Sequence, residues 1–179
     1  MNPPEYSPTT PNPSPLRFGI LGAAKIAPNA LLTPARAIPG ASVVAVAARD
    51  PQKAHAFAQR HQIPRVHTAY ADLIADPEID AIYNPLPNSH HAEWSIRALE
   101  AGKHVLCEKP IASNADEAMA MAVAADGTNK VLMEAFHYRY HPLITRALPI
   151  LQRGEIGQIR HLDTSMCIPN YRNWDISWR

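Results

Sequence analysis

The sequence predicts an α/β fold with a doubly wound parallel sheet, followed by the truncated start of a second, α+β domain. After residue 15, short apolar runs alternate with helical stretches, which is typical of a parallel sheet covered on both faces. The run at 42–48 is nearly all apolar, as expected for a strand buried on both sides. Beyond about residue 141 the alternation stops.

Each element follows from local signals. Strands are expected near 16–21, 42–48, 64–67, 80–84, 103–107 and 130–134, and helices near 25–37, 51–61, 70–76, 89–101, 114–126 and 141–153. Asp50 before Pro51 is a cap residue followed by a first-turn proline, and Asn114 can open a later helix in the same way. Gly102 is a helix stop, and Pro34 predicts a kink or two short helices.

The two ends of the chain differ from this middle part. Residues 1–15 contain six prolines and little apolar surface, so we expect a disordered tail. Residues 16–140 form the predicted dinucleotide-binding domain. A strand-like run at 158–166 would need a partner from a further sheet, so we expect 141–179 to be the incomplete start of a C-terminal substrate and oligomerisation domain.

Composition narrows the class of partner. The formal charge is +1, from 17 basic and 16 acidic residues, which favours a small-molecule ligand over nucleic acid or a membrane surface. No apolar run is long enough to cross a bilayer, and the N-terminus lacks the pattern of a signal peptide. Cys107 and Cys167 show no paired-cysteine motif, so we expect free thiols and a cytoplasmic location.

A glycine turn follows the first strand. A dinucleotide-binding turn needs three small residues, and here they are Gly22, Ala24 and Ala27. Ala24 adds a methyl group where the backbone approaches phosphate, so the match is imperfect. The helix N-terminus still offers free amides, and Lys25 can add charge. The pattern predicts a Rossmann-type site for pyrophosphate, and a glycine turn that binds no nucleotide is the alternative.

The end of the second strand indicates which cofactor is preferred. An acid usually binds the adenosine ribose there, but this chain has Ala48 followed by Arg49. A guanidinium can bind a 2′-phosphate and stack on adenine, so NADP(H) is favoured, with NAD as an alternative. Arg49 as a plain surface residue is the other interpretation. Asp50 is expected to cap the next helix.

The loop after the fourth strand lies at the carboxyl edge of the sheet, where ligands of open α/β folds bind. Asn88 could face a ligand or cap the next helix. His90 and His91 are adjacent and point about 100° apart on a helix, with no cysteine or carboxylate cluster around them. We therefore predict no metal site.

Lys109 ends the fifth strand and should face the same crevice. Beside the positive nicotinamide ring of an oxidised cofactor, a buried lysine would release its proton readily, which suits a proton relay. Pro110 could fix the backbone through a cis peptide. The alternative is a solvated lysine at a strand end.

Several motifs occur together in a characteristic order: Arg17 to Ala24, Val44 to Asp50, Leu86 to His91, Ala101 to Pro110 and Met133 to Pro142. On these motifs residues 16–179 resemble the N-terminal half of the Gfo/Idh/MocA oxidoreductases, and in particular the branch with dihydrodiol dehydrogenase and NADP-dependent xylose dehydrogenase. The most specific part is the Glu-Lys-Pro segment, residues 108–110, with its preceding strand.

The resemblance implies a role for each matching residue. Lys109 would be the catalytic lysine. The cofactor-binding residues would be Gly22, Ala23, Ala24, Lys25, Ile26, Ala27, Arg49, Leu86, Pro87, Asn88, His91, Glu108 and Arg139. Within this set, Gly22 to Ala27 would hold the pyrophosphate and Leu86 to Asn88 the nicotinamide ribose.

Members of this family are about twice as long, and their second domain supplies most of the substrate pocket and a partner acid or base. The expected function is hydride transfer between NADP(H) and a sugar- or polyol-like secondary alcohol or its carbonyl, with a homo-oligomer for the full-length form. The alternative is a non-catalytic cofactor-binding regulator or an inactive truncated fragment.

Overall fold

The computed structural model describes residues 14–165. The first eleven elements of the chain are β1 (Leu16–Leu21), a π-helical turn (Pro28–Leu32), α1 (Thr33–Ala37), β2 (Ala41–Ala47), α2 (Pro51–His61), β3 (Arg65–His67), α3 (Tyr70–Ala75), β4 (Ala81–Asn84), a 3₁₀ turn (Asn88–His90), α4 (His91–Glu100) and β5 (His104–Cys107). They are followed by α5 (Ala115–Thr128), β6 (Leu132–Glu134), a second 3₁₀ turn (His137–Tyr140) and α6 (Pro142–Gln152). The predicted proline-rich tail lies almost wholly outside the described residues.

The six strands form one parallel sheet in the order β3-β2-β1-β4-β5-β6. The chain moves outward from β1 to β3 and then crosses to the other side of β1 with β4. The strand order therefore reverses between β1 and β4, and in open α/β sheets this is where ligands bind. The predicted Rossmann-type, doubly wound sheet is confirmed.

The core occupies both faces of the sheet. Neighbouring side chains on a strand point to opposite faces, so Ile82 packs in one cluster and Tyr83 in the other. The first cluster also contains Leu21, Ala47, Leu73, Leu99, Cys107 and Met121. The second contains Ile20, Ala27, Leu31, Leu32 and Val46. This double burial explains why the strands are nearly continuous apolar runs.

Local chemistry sets several boundaries as predicted. The Asp50 side chain accepts hydrogen bonds from the N–H groups of Gln52 and Lys53 at the start of α2. Asn114 accepts from Glu117 N at the start of α5. Gly102, with φ +78°, follows α4 in the left-handed region that favours glycine. Pro34 lies where the π-helical turn gives way to α1.

The described residues divide into two compact units, the first ending at Glu134 and the second beginning at Ala135. In the second unit, Pro142 occupies the first turn of α6, and His141 Nδ1 accepts a hydrogen bond from Leu143 N. The assignment of residues 141–179 to a substrate domain stays a prediction. None of the helices in residues 14–165 combines the length and the apolar character that a membrane span requires.

The strand-like run at 158–166, which the sequence predicts to need a partner from a further sheet, forms no strand in the residues that can be checked. Residues 158–165 have no strand structure, and Met166 lies outside the described residues. Alternating side chains alone cannot form a strand, because a strand needs a neighbour to receive its backbone hydrogen bonds. None of the described strands of the sheet pairs with this run.

Candidate active site

The glycine turn begins at the end of β1. Gly22 has φ +86°, and its N–H donates to the carbonyl oxygen of Ala47 at 2.6 Å. A Cβ atom at this position would lie 3.1 Å from Cδ2 of Leu86, which is closer than ordinary van der Waals contact. Both the backbone conformation and the tight space therefore require glycine here.

The rest of the turn leaves donors free. The N–H groups of residues 23–26 make no hydrogen bond within residues 14–165. Ala23 and Ala24 are half-buried, Lys25 and Ile26 are exposed, and Ala27 is buried against the second core cluster. Free amides ahead of a helical segment, with a lysine beside them, suit an anion such as pyrophosphate. The turn thus fits the group that the sequence predicts for it.

Arg49 lies just after β2. It is exposed, and no carboxylate in the described part of the chain forms an ion pair with it. Ala48 beside it is buried and offers no acid for a ribose. Arg49 and Tyr70 line the same cleft, where burial raises the pKa of Tyr70 and the Arg49 guanidinium opposes that rise. The Arg49 guanidinium is therefore available to an anionic ligand.

A cleft of about 390 Å³ opens next to Arg49. It is lined by Ala48, Arg49, Thr68, Ala69, Tyr70, Leu86, Pro87, His90, Glu93 and Trp94. Tyr70 and Trp94 meet edge to face with ring centroids 5.0 Å apart, and Cζ of Arg97 lies 4.7 Å from the Trp94 ring centroid. Such a wall can hold a flat heteroaromatic ring. No sequence motif pointed to Tyr70 or Trp94, although Tyr70 begins a helix shortly after a strand end.

The loop after β4 is held by buried Asn84. Its Nδ2 donates to the His91 carbonyl at 3.2 Å and to Ser95 Oγ at 3.0 Å, while its Oδ1 accepts from Leu86 N at 3.3 Å. These bonds fix Leu86, which is buried, and Pro87, which is half-buried. The Asn88 side chain forms no cap on either helical segment that follows it, so its capping alternative is wrong.

His91 connects two loops of the site. It is buried, its Nδ1 lies 2.8 Å from the Pro110 carbonyl oxygen, and its Nε2 lies 2.7 Å from the Leu86 carbonyl oxygen. Both ring nitrogens are therefore used inside the protein, and the ring ties the β4 loop to the Glu-Lys-Pro segment. Within residues 14–165, no three His, Cys, Asp or Glu side chains gather as metal ligands would.

The Glu-Lys-Pro segment follows β5. Glu108 N donates to the Asn84 carbonyl at 3.0 Å, and Glu108 Oε1 accepts a hydrogen bond from Tyr83 Oη at 2.8 Å. The Lys109–Pro110 peptide is cis, as expected. Lys109 itself is exposed, so the burial that we expected around its amine is not supplied by the described residues.

Cys107 is a free, buried thiol, and burial raises its pKa to about 12, which makes it a poor nucleophile. Cys167 lies outside the described residues. Arg139 is exposed in the 3₁₀ turn of the second unit, where its N–H donates to Phe136 O at 3.1 Å. Its contact with a cofactor stays a prediction.

The topology brings the remaining predicted residues to one edge. Ile20 of β1 pairs with Tyr83 of β4, and Asn84 pairs with Cys107 of β5. The glycine turn, the Leu86–Asn88 loop and the Glu-Lys-Pro segment therefore follow the carboxyl ends of three adjacent strands.

Known proteins share this arrangement. The Gfo/Idh/MocA family, described as "Oxidoreductase family, NAD-binding Rossmann fold", matches residues 16–136. A D-xylose 1-dehydrogenase (NADP(+)) from Haloferax volcanii is 41% identical over 144 residues, 80% of this chain and 44% of that protein. A dTDP-3,4-didehydro-2,6-dideoxy-alpha-D-glucose 3-reductase from Saccharopolyspora spinosa is 39% identical over 165 residues, 92% of this chain and 49% of that protein.

A solved structure has a similar fold. The 3-ketoreductase of Actinomadura kijaniata, in complex with TDP-benzene and NADP, superposes with a TM-score of 0.73 at 38% identity, covering 82% of this chain and 46% of that one. This chain thus spans about half the length of the relatives that it matches. With the matched fold, the glycine turn and the Glu-Lys-Pro segment in place, the chain belongs to the Gfo/Idh/MocA family of oxidoreductases.

Proposed function

We propose that this chain binds NADP(H) and carries the proton-relay lysine of an oxidoreductase that acts on a sugar- or polyol-like secondary alcohol or its carbonyl. The observation that carries the proposal is that the glycine turn and Lys109 follow the carboxyl ends of β1 and β5, the two strands that flank β4, on the side where the strand order reverses. When bound, the cofactor supplies or accepts the hydride.

Different residues suit different parts of the cofactor. The free amides of residues 23–26 suit the pyrophosphate, and Arg49 suits the 2′-phosphate that distinguishes NADP from NAD. The Tyr70 and Trp94 wall suits the adenine. Leu86 to Asn88, with the Asn88 side chain uncommitted to a cap, suit the nicotinamide ribose, and His91 keeps that loop in place.

Lys109 would exchange a proton with the substrate oxygen while the hydride moves. Its amine extends from a backbone that is anchored on both sides, by Glu108 N on Asn84 O and by Pro110 O on His91. A fixed backbone limits the positions that the amine can reach, which favours catalysis by orientation. The exposed amine would still need burial by substrate or by further protein.

A direct test is a fluorescence titration of the purified chain with NADPH and with NADH. Binding of NADPH with a clear preference over NADH is the expected result. Absence of binding by either nucleotide would point to an inactive fragment. Binding without turnover on a panel of sugars, in a protein with the second half present, would point to a regulator.

The role of Lys109 has its own test. In a form of the protein that includes the second half, Lys109→Met should abolish turnover and leave the NADPH dissociation constant within about twofold, because it removes only the proton carrier. Lys53→Met, at an exposed lysine of α2, is the matched control. Turnover of the Lys109→Met enzyme at the unmodified rate would exclude the relay.

Cys107 and the apolar surface of the second unit bear on location and assembly. The free thiol of Cys107 is compatible with a reducing compartment, so we propose a cytoplasmic protein. Exposed apolar side chains in the second unit, among them Leu143 and Leu162, support a homo-oligomer for a full-length form.

A further inference from the structure

A buried tyrosine on β4 reaches the glutamate of the Glu-Lys-Pro segment. The Tyr83 side chain is 0% exposed, and its hydroxyl donates to Glu108 Oε1 at 2.8 Å. The second carboxylate oxygen, Oε2, accepts a longer bond from Lys109 N at 3.3 Å. The carboxylate is therefore held through both oxygens, and because Glu108 is only half-buried, its remaining lone pairs are accessible to a ligand.

Tyr83 is itself fixed. Its ring packs in the second core cluster with Ile20 and with Ala27 of the glycine turn. Because β4 lies between β1 and β5, this ring spans from the core beneath the turn to the Glu-Lys-Pro segment. Phenylalanine would fill the same space, so the hydroxyl matters chiefly for the carboxylate that it contacts.

The hydroxyl also stays a donor. Burial raises the pKa of Tyr83 above its usual range, and the neighbouring Glu108 carboxylate raises it further. A tyrosine that keeps its proton donates to the carboxylate at any pH where the protein is used, and a hydrogen bond to an ionised acceptor is stronger than a neutral one. The Tyr83–Glu108 contact is thus a persistent anchor.

We propose that Tyr83 is a positioning residue that holds the Glu108 carboxylate at the nicotinamide end of the cofactor, and that this fixed negative charge favours the oxidised over the reduced cofactor. The inference rests on the proposed function. NADP⁺ and NADPH differ in the charge of the nicotinamide ring, positive in the first and neutral in the second, so a carboxylate beside that ring discriminates between them. A carboxylate released by the loss of Tyr83 Oη would move and be screened by water.

The test is a double-mutant cycle on cofactor affinity. NADP⁺ and NADPH are titrated by calorimetry into the purified chain and into Tyr83→Phe, Glu108→Gln and the double variant, at one low ionic strength. Tyr83→Phe should weaken NADP⁺ by about fivefold and NADPH by less than about twofold, and Glu108→Gln should shift the ratio at least as far. In the Glu108→Gln background, Tyr83→Phe should add no further shift.

Controls separate this role from a structural one. Tyr140→Phe removes an exposed tyrosine hydroxyl that makes no hydrogen bond within residues 14–165, and it should leave the affinity ratio unchanged. Equal weakening of NADP⁺ and NADPH by Tyr83→Phe would overturn the inference, and so would an unchanged ratio in Glu108→Gln. If Tyr83→Phe fails to fold by circular dichroism, the Glu108→Gln ratio decides alone.

The cycle also separates the two proposals. If the unmodified chain binds both nucleotides and the ratio does not respond to Glu108→Gln, only the role of Tyr83 and Glu108 fails. If the unmodified chain binds neither nucleotide, the proposed function fails, and this inference fails with it.

Discussion

At the scale of single residues, the site depends on positions that tolerate little change. Gly22 has a left-handed backbone conformation, and Leu86 leaves no room for a side chain there. The Arg49 guanidinium has no carboxylate partner among the described residues. Both features follow from where the residues stand relative to strand ends.

Gly22→Ala should impair both stability and cofactor binding. A Cβ at φ +86° costs about 1–2 kcal/mol in the backbone, and it also meets Leu86 Cδ2. Urea unfolding measures the first effect and NADPH titration the second. Gly40→Ala is the matched control, because a Cβ there meets nothing within 4 Å. Equal stability of the two variants would contradict the strain assigned to Gly22.

Arg49→Ala should change cofactor preference more than overall folding. Loss of a charge-assisted contact to the 2′-phosphate should weaken NADPH by about tenfold, while NADH, which lacks that phosphate, should change little. Paired titrations with the two nucleotides measure the ratio. Arg60→Ala, an exposed arginine at the end of α2, should leave it unchanged. A parallel loss for both nucleotides would instead place Arg49 elsewhere on the cofactor.

At the scale of elements, polar contacts join strands that the sequence alone does not pair. Arg17 of β1 donates to the Asp80 carboxylate from its backbone N at 2.9 Å, from Nε at 2.9 Å and from Nη2 at 2.8 Å. Asp80 lies just before β4, so the contact fixes the amino ends of β1 and β4 together. The Arg17 hydrogen bonds lower the pKa of Asp80 to about 2.

Asp80→Asn should therefore show a pH-dependent loss of stability. The folded-state pKa lies below the unfolded value of about 4, so the stabilisation is fully present above that pH and is lost as the pH falls through about 2. Urea unfolding of both proteins from pH 3 to pH 7 measures this. The difference should be constant near neutral pH and shrink towards pH 3.

Glu78→Gln is the control for Asp80→Asn. Glu78 also pairs with Arg17, at 2.7 Å, but its side chain is 65% exposed and solvent screens the pair. It should produce a smaller effect than Asp80→Asn. A stability difference for Asp80→Asn that does not vary with pH would contradict the assignment to an ionised carboxylate.

The sequence predicts elements better than it predicts their contacts. The predicted strand bounds lie within two residues of the observed ones, because burial on both faces requires apolar runs. Helix ends were also predicted where residues such as Asp50, Gly102 and Asn114 mark them by local chemistry. The run at 158–165 has no strand structure, because strand formation depends on a partner. The Tyr70 and Trp94 wall depends on the packing of two helices far apart in sequence, which no short-range pattern encodes.

The sequence predicted which residues form the candidate site, but it did not predict the hydrogen bonds that connect them. The positions of Gly22, Arg49 and Lys109 followed from the rule that ligands bind at carboxyl strand ends. The bonds of His91 to two carbonyl groups could not be inferred, because they depend on how two loops approach each other. The same holds for the bond from Tyr83 to Glu108.

At the scale of the whole molecule, the second compact unit exposes several large apolar side chains. In the second unit, Leu143 is 68%, Leu148 47% and Leu162 80% exposed. Apolar area of this kind favours association. We expect light scattering to detect self-association of the chain that grows with concentration.

Replacing both Leu143 and Leu148 with serine should reduce that association, since it removes apolar contact area from one helix. Val123→Ser, at an exposed apolar residue of α5 in the first unit, is the matched control. A monomer at every concentration tested would contradict the prediction.

The division at Glu134 and Ala135 has a consequence for engineering. Apart from Arg139, every described residue proposed to contact the cofactor precedes that junction. These residues lie in loops and turns that follow strands of a single sheet. Hybrid proteins joined at the junction, with second halves taken from different relatives, should therefore keep one nucleotide preference while their substrates change. The first unit would then serve as a common cofactor-binding part for oxidoreductases with different second halves.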